Sequence, residues 1–189
     1  MSNPRLRKAL LFGVTGIAGL YVCFAAIGVG LAVNLTNSMP RGLYATTSPP
    51  GWSLPRGALI AVCIPNIPAA KVYLARRYLG HSTECPVGMP PEIKPLGAVP
   101  GDLVEIGRDG VRVNGVLVPN SRLYGLDSNG RPISHLPFGW KHRLRKGEYF
   151  TLATYLPRSL DSRYYGPVSA GDIIKSAWPV LTAASWGSL

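Results

Sequence analysis

Three residue types in this 189-residue chain are candidates for chemistry: histidine, serine and lysine. His81, His135 and His142 have no partner at HxxxH or HxH spacing, and there is no CxxC, so no zinc site of the usual pattern is encoded. A Ser-His-Asp triad has no local signature such as GxSxG. Serine with lysine fares better. A serine hydroxyl is a weak nucleophile until a base takes its proton. A lysine amine is such a base only when uncharged. Near neutral pH that requires an apolar setting, because burial disfavours a charged amine by up to several pKa units. The chemistry needs one serine in a constrained turn and one lysine among apolar neighbours.

Ser38 meets the first condition. It lies in "TNSMPRGLY", residues 36–44, beside Met39-Pro40 and just past a long charge-free run. For the second, Lys8 precedes that run, Lys71 falls in a helical pattern, Lys141 and Lys146 sit in a basic loop, and Lys175 belongs to a terminal strand. Lys94 remains, in "PPEIKPLGAVPGDLVEI". It has Ile93, Pro95 and Leu96 beside it and leads into a tight turn at Pro100-Gly101-Asp102. Its neighbours are the most apolar of any lysine in the chain.

The elements that must position these residues follow from the hydropathy pattern. Residues 9–35 contain no Asp, Glu, Lys, Arg or His, and the run exceeds the ~20 residues that a helix needs to cross a bilayer. Arg5, Arg7 and Lys8 precede it with no acid, which predicts a cytoplasmic N-terminus and the rest of the chain across the membrane. The expectation is a basic N-terminus at 1–8, a transmembrane anchor at 9–35 and a periplasmic domain at 36–189. The rival is a cleaved signal peptide. After the anchor, short strands are predicted in "GLYATT", "GALIAVCI", "DLVEIG", "VRVNGVLV", "YFTLAT" and "DIIKSAWPVL". Asn114-Gly115 signals a tight hairpin. Residues 66–80, with Pro68 early and Gly80 last, read as one short helix. Residues 119–147 read as an extended loop excursion. The fold class predicted is mainly β: a coiled antiparallel sheet, one short helix and an N-terminal transmembrane helix.

Four ordered boxes, "SMPRG", "LPRGALIAV", "KPLGAVPGD" and "SLDSRYYGPV", resemble the type I signal peptidase family over about residues 30–178. In that family a serine attacks, and a lysine six residues before the Pro-Gly-Asp proline is the base. The resemblance therefore implies Ser38 as nucleophile and Lys94, six before Pro100, as base. It places Thr36 in support of the oxyanion hole and Ser159 beside the lysine amine. Asp161 and Arg163 match a structural ion pair. In the plasmid conjugative-transfer branch the aspartate is implicated in activity itself, and both readings stay open. Compact size, "SMPRGLY" and "DSRYYGPV" resemble that branch, whose members mature pilin subunits and in some cases join their ends. The serine box departs from the family pattern, since no residue separates Met39 from Pro40, and Pro95 stands where a basic residue usually follows the lysine.

The family reading implies a pilin precursor as substrate, membrane lipid and the conjugative apparatus as surroundings, and no cofactor or metal. The formal net charge of +11 suggests nucleic acid first. No helix-turn-helix, zinc knuckle or ribonucleoprotein aromatic motif is visible, so no nucleic acid is expected. Only 15% of residues are charged, against about 25% in soluble domains; the basic balance reads instead as a surface near anionic lipid or as mere solubility. Cys63 and Cys85 fall outside the membrane in this topology, and a disulfide between them is the expectation, with two free thiols as the alternative. Three rival functions remain: a general leader peptidase, a non-catalytic tethered component of the transfer apparatus, and a self-cleaving repressor-type Ser/Lys protease. The apolar run argues against the last.

Overall fold

The chain is mainly antiparallel β, and its strands serve to bring two distant segments to one hollow. The computed structural model describes residue 7 and residues 28–49 and 54–183. The first element, β1 (Gly30–Asn34), runs antiparallel to β2 (Gly42–Thr47), with Asn34 opposite Gly42 at the turn. A long last strand, β11 (Ile173–Thr182), joins β2 to β3 (Leu59–Val62). Then follow β4 (Glu92–Ala98), β9 (Glu148–Thr151) and β10 (Val168–Ser169), giving the order β1-β2-β11-β3-β4-β9-β10. A smaller sheet has the order β7-β6-β5-β8, from Val116–Leu117, Val111–Val113, Leu103–Ile106 and Lys141–Arg143.

The large sheet is coiled for identifiable reasons. Register shifts interrupt β11 against β2 at Pro179/Leu181 and β4 against β9 at Leu96/Ala98. An extra residue on one strand bends it and increases its twist. Two apolar cores result, and β4 and β9 stand between them. Leu96 and Tyr149 pack with Ile60, Val62, Tyr73 and Met89 in one. Ala98 and Phe150 pack with Val104, Ile106 and Val111 in the other.

Sequence and structure part in four places. Residues 30–34 form strand β1 and not the end of a spanning helix; the rest of the predicted anchor, residues 9–27, lies outside the described residues. Among the described residues no helix is long and apolar enough to cross a membrane. The helix predicted at 66–80 is α1 (Pro68–Ala75), which ends early because Arg77 enters the left-handed region at φ 53°. The segment around Lys94 is a strand, although Pro91 and Pro95 bracket it. The missing N–H of Pro95 is tolerated because the ladder bonds run through its neighbours: Leu96 N–H donates to Ala58 O at 2.9 Å, and Pro95 O accepts from Leu152 N–H at 3.1 Å. The loop excursion at 119–147 contains the short strand β8 and a tight bridge between Leu126 and Pro132.

Candidate active site

Ser38 sits in the turn between β1 and β2, and Asn34 builds that turn. The Asn34 amide nitrogen donates to the carbonyls of Thr36, Met39 and Pro40 at 3.1–3.2 Å. Its oxygen accepts from the Thr36 N–H at 3.1 Å and the Thr36 hydroxyl at 2.7 Å. Because the Thr36 hydrogen is spent on Asn34, Thr36 Oγ1 is the acceptor in its 3.0 Å contact with Ser38 Oγ. Tyr44, fully buried on β2, donates to Pro40 O at 2.7 Å and fixes the far end of the turn. Gly42 closes the turn at φ 145°, where a Cβ would lie 2.1 Å from Leu181 O, so no other residue fits.

Lys94 comes from the other side of the fold. Alternation along β4 turns Glu92, Lys94 and Leu96 to one buried face, and the register shift after Leu96 turns Ala98 to the other core. The Lys94 side chain is only 1% exposed. Its amine donates to Ser159 Oγ at 2.9 Å and lies 3.1 Å from Glu92 Oε1. Burial pushes the Glu92 carboxyl up from its ordinary value; the Lys94 amine opposes that, and the Asp161 charge adds to it. Its second oxygen, Oε2, is buried with no hydrogen-bond partner among the described residues.

Ser38, Thr36, Lys94, Glu92 and Ser159 all line one cavity of about 330 Å³, with Tyr78 on its wall. The fold thus brings four of the predicted residues, Thr36, Ser38, Lys94 and Ser159, to a single hollow. Asp161 and Arg163 do not line it. They lie fully buried behind it, at the start of the short helix α2 (Ser162–Tyr165). Arg163 Nε and Nη2 each donate to the Asp161 carboxylate at 2.8 Å. Burial opposes the Arg163 charge, but Asp161 outweighs it and pushes the guanidinium up. Arg163 also donates to the carbonyls of Arg122, Pro157 and Ser159 at 2.9–3.2 Å, so the pair holds the loop that carries Ser159. Cys63 and Cys85 are joined in a disulfide that ties the end of β3 to the segment before β4. The histidines sit elsewhere: His81 is exposed, His135 meets the carbonyl of Leu136 and His142 meets Glu148.

Sequence reasoning missed Glu92 and Asn34. Glu92 was readable once Lys94 is placed on a strand, since a residue two positions away shares its face. Asn34 was hidden inside the charge-free run.

A mainly β fold with a hydroxyl and a buried amine facing one cavity defines a class, and the chain belongs to it: residues 8–181 match the signal peptidase family, peptidase S26. The relatives narrow this further. The chain is 32% identical over 180 residues to the plasmid transfer protein TraF of Escherichia coli, covering 94% of this chain and 98% of that one. It is 36% identical over 185 residues to a probable conjugal transfer protein TraF of Sinorhizobium fredii, covering 97% and 95%. Among solved structures, a signal peptidase I of Enterococcus faecalis matches at 24% identity and a TM-score of 0.34, over 68% of this chain and 97% of that one.

Proposed function

We propose that this chain is a membrane-anchored Ser/Lys endopeptidase that matures a pilin precursor in plasmid conjugation. The observation that carries the reading is the convergence of Ser38 Oγ and the dehydrated Lys94 amine on one cavity. The family match and the relatives named for conjugal transfer support the substrate class.

In this mechanism the Ser38 hydroxyl turns from Thr36 toward the amine as substrate binds. Uncharged Lys94 takes the Ser38 proton while Oγ attacks the scissile carbonyl carbon. Thr36 and the Ser38 N–H stabilise the oxyanion that forms. The ammonium then gives its proton to the departing amine nitrogen, leaving an acyl-enzyme. Water releases a trimmed pilin; the substrate's own N-terminal amine releases a cyclic one. Asp161, paired and off the cavity, acts by holding the loop that carries Ser159.

The membrane setting draws on a second observation. Leu31 and Trp178 lie opposite Ala45 on either side of it, and Val33 and Leu181 lie likewise about Leu43. These four side chains are 42–66% exposed, in rows running beside the Ser38 turn. Exposed apolar rows of this kind suit a lipid surface. There the nucleophile meets a cleavage site held at the same depth, a proximity effect.

The test is mass spectrometry of the pilin precursor after coexpression with this chain. A shortened product that vanishes with Ser38→Ala and with Lys94→Ala supports the assignment, as does failure of Lys94→Arg, which stays charged. Processing that survives either alanine variant refutes it. The product mass also separates linear from cyclic release.

A further inference from the structure

Glu92 is the one carboxyl at the cavity whose cation is the reactive amine itself. The other acids nearby are matched by arginines. Asp161 is bound bidentately by Arg163, and Asp127 across the cavity is bound by Arg131 with Arg76 behind it. The remaining titratable groups facing Glu92 are phenols: Tyr165 from α2, with Tyr73 of α1 behind it. Among the described residues, Glu92 has Lys94 as its single ion-pair partner.

An ionised carboxylate offers about four lone-pair sites. Here Oε1 meets one donor and Oε2 meets none. That is poor solvation for a buried anion and a better fit for a neutral carboxylic acid with its proton on Oε2. The two charge states differ sharply for catalysis. With the proton on Glu92, Nζ keeps a lone pair. With the proton on Nζ, the anion beside it stabilises the ammonium, which takes no proton from serine.

We propose that Glu92 is a positioning residue for Lys94: the two groups, in contact at 3.1 Å through Oε1, hold one proton between them, on Oε2 or on Nζ, and the pair, not the amine alone, determines when Nζ is free to accept the Ser38 proton. This deepens the Ser38/Lys94 reading and rests on it. The step balances. Neutral Nζ takes the proton from Ser38 Oγ and becomes an ammonium beside the neutral acid. That proton leaves on the departing amine nitrogen, and the pair returns to its one-proton state. Glu92→Gln keeps an acceptor near Oε1 but removes the titratable carboxyl beside the amine.

The experiment uses the full chain in detergent micelles, with ¹³C at the lysine ε and glutamate δ carbons, and identifies the Lys94 signal by its loss in Lys94→Arg. In the unmodified protein the Glu92 and Lys94 signals are expected to move together through shared titration steps. In Glu92→Gln the Lys94 transition is expected to move toward acid by about one pH unit or more, and the acid limb of kcat/KM with it. Unlinked transitions in the unmodified protein overturn the proposal, as does an unchanged Lys94 transition in Glu92→Gln. If Glu92→Gln does not fold, the unmodified protein alone decides. These signals need no turnover. Loss of processing in Ser38→Ala and Lys94→Ala with an unmoved Lys94 transition sinks only the role of Glu92. Processing that survives those alanine variants sinks the peptidase reading itself.

Discussion

The hydroxyls of Thr36 and Ser38 lie 3.0 Å apart, and the hydrogen between them belongs to Ser38, because Thr36 already donates to Asn34. Ser38 therefore rests with its proton directed to Thr36 Oγ1. In the proposed mechanism Thr36 has one role in the resting turn and another once an oxyanion forms. Thr36→Val keeps the shape and removes the oxygen. A hydrogen bond to a charged group contributes about 1.5–3 kcal/mol. The expected result is a fall in kcat of roughly 10- to 150-fold, with stability lowered only by the lost bond to Asn34, about 0.5–1.5 kcal/mol. A kcat within error of the unmodified chain would remove Thr36 from the chemistry.

Asp161 and Arg163 form a fully buried pair, and removing one member leaves the other charge uncompensated. Such losses cost about 3–5 kcal/mol. Asp161→Asn and Arg163→Met should each lower the urea midpoint strongly. The double variant should lose less than the two singles together, since no lone charge remains. If Asp161→Asn instead leaves stability intact while abolishing turnover, the carboxylate takes part in the reaction.

The Cys63–Cys85 disulfide closes a loop at a sequence separation of 22. In the chain-entropy account a loop of that size contributes about 3 kcal/mol. The bridge anchors the segment feeding β4, so its effect should reach Lys94 through stability and not through chemistry. Changing both cysteines to serine should lower the unfolding free energy by about that amount, with kcat retained at temperatures where the variant is folded. Thiol counts that stay the same with and without reductant would deny the bridge.

Much of this architecture is legible from local signals, and what is not has a common cause. "GLYATT" coincides with β2 because its termini are set by Gly42 and the proline-bounded loop after it. The Asn114-Gly115 turn has positive φ at both positions, 51° and 82°, as a tight hairpin of this kind requires. Residues 30–34 read as part of a spanning helix because an apolar strand at a sheet edge is as charge-free as a membrane segment. β4 escaped because Pro95 and two charges break the apolar pattern of a buried strand. Glu92 reads as a surface residue until β3 and β9 are packed against its strand. Its burial is a tertiary property, written in β3 and β9 and in the loop held by Arg163.

The wall of the cavity facing Lys94 is set by Asp127. Burial opposes its charge, but hydrogen bonds from the Tyr78 hydroxyl, the Arg131 guanidinium and the N–H groups of Asn129 and Arg131 outweigh that and hold the carboxyl well below the usual range. Arg76 extends the clasp by donating to Pro132 O at 2.6 Å, so the turn at 126–132 is fastened to the end of α1. A carboxyl depressed in the folded state stabilises the fold above its unfolded value, about 3.9, and that contribution is lost as pH falls through the lower folded value. Below about pH 4 the backbone N–H groups of 129–131 should therefore lose protection, measured against the intrinsic exchange rate at each pH, ahead of those in β4. Asp127→Asn should produce the same loosening at neutral pH. Because Asp127 shapes the cavity without reaching Ser38 or Lys94, the variant is expected to raise KM more than it lowers kcat. Exchange at 129–131 that stays at the unmodified rate in Asp127→Asn would show that the turn is held by something other than this carboxylate.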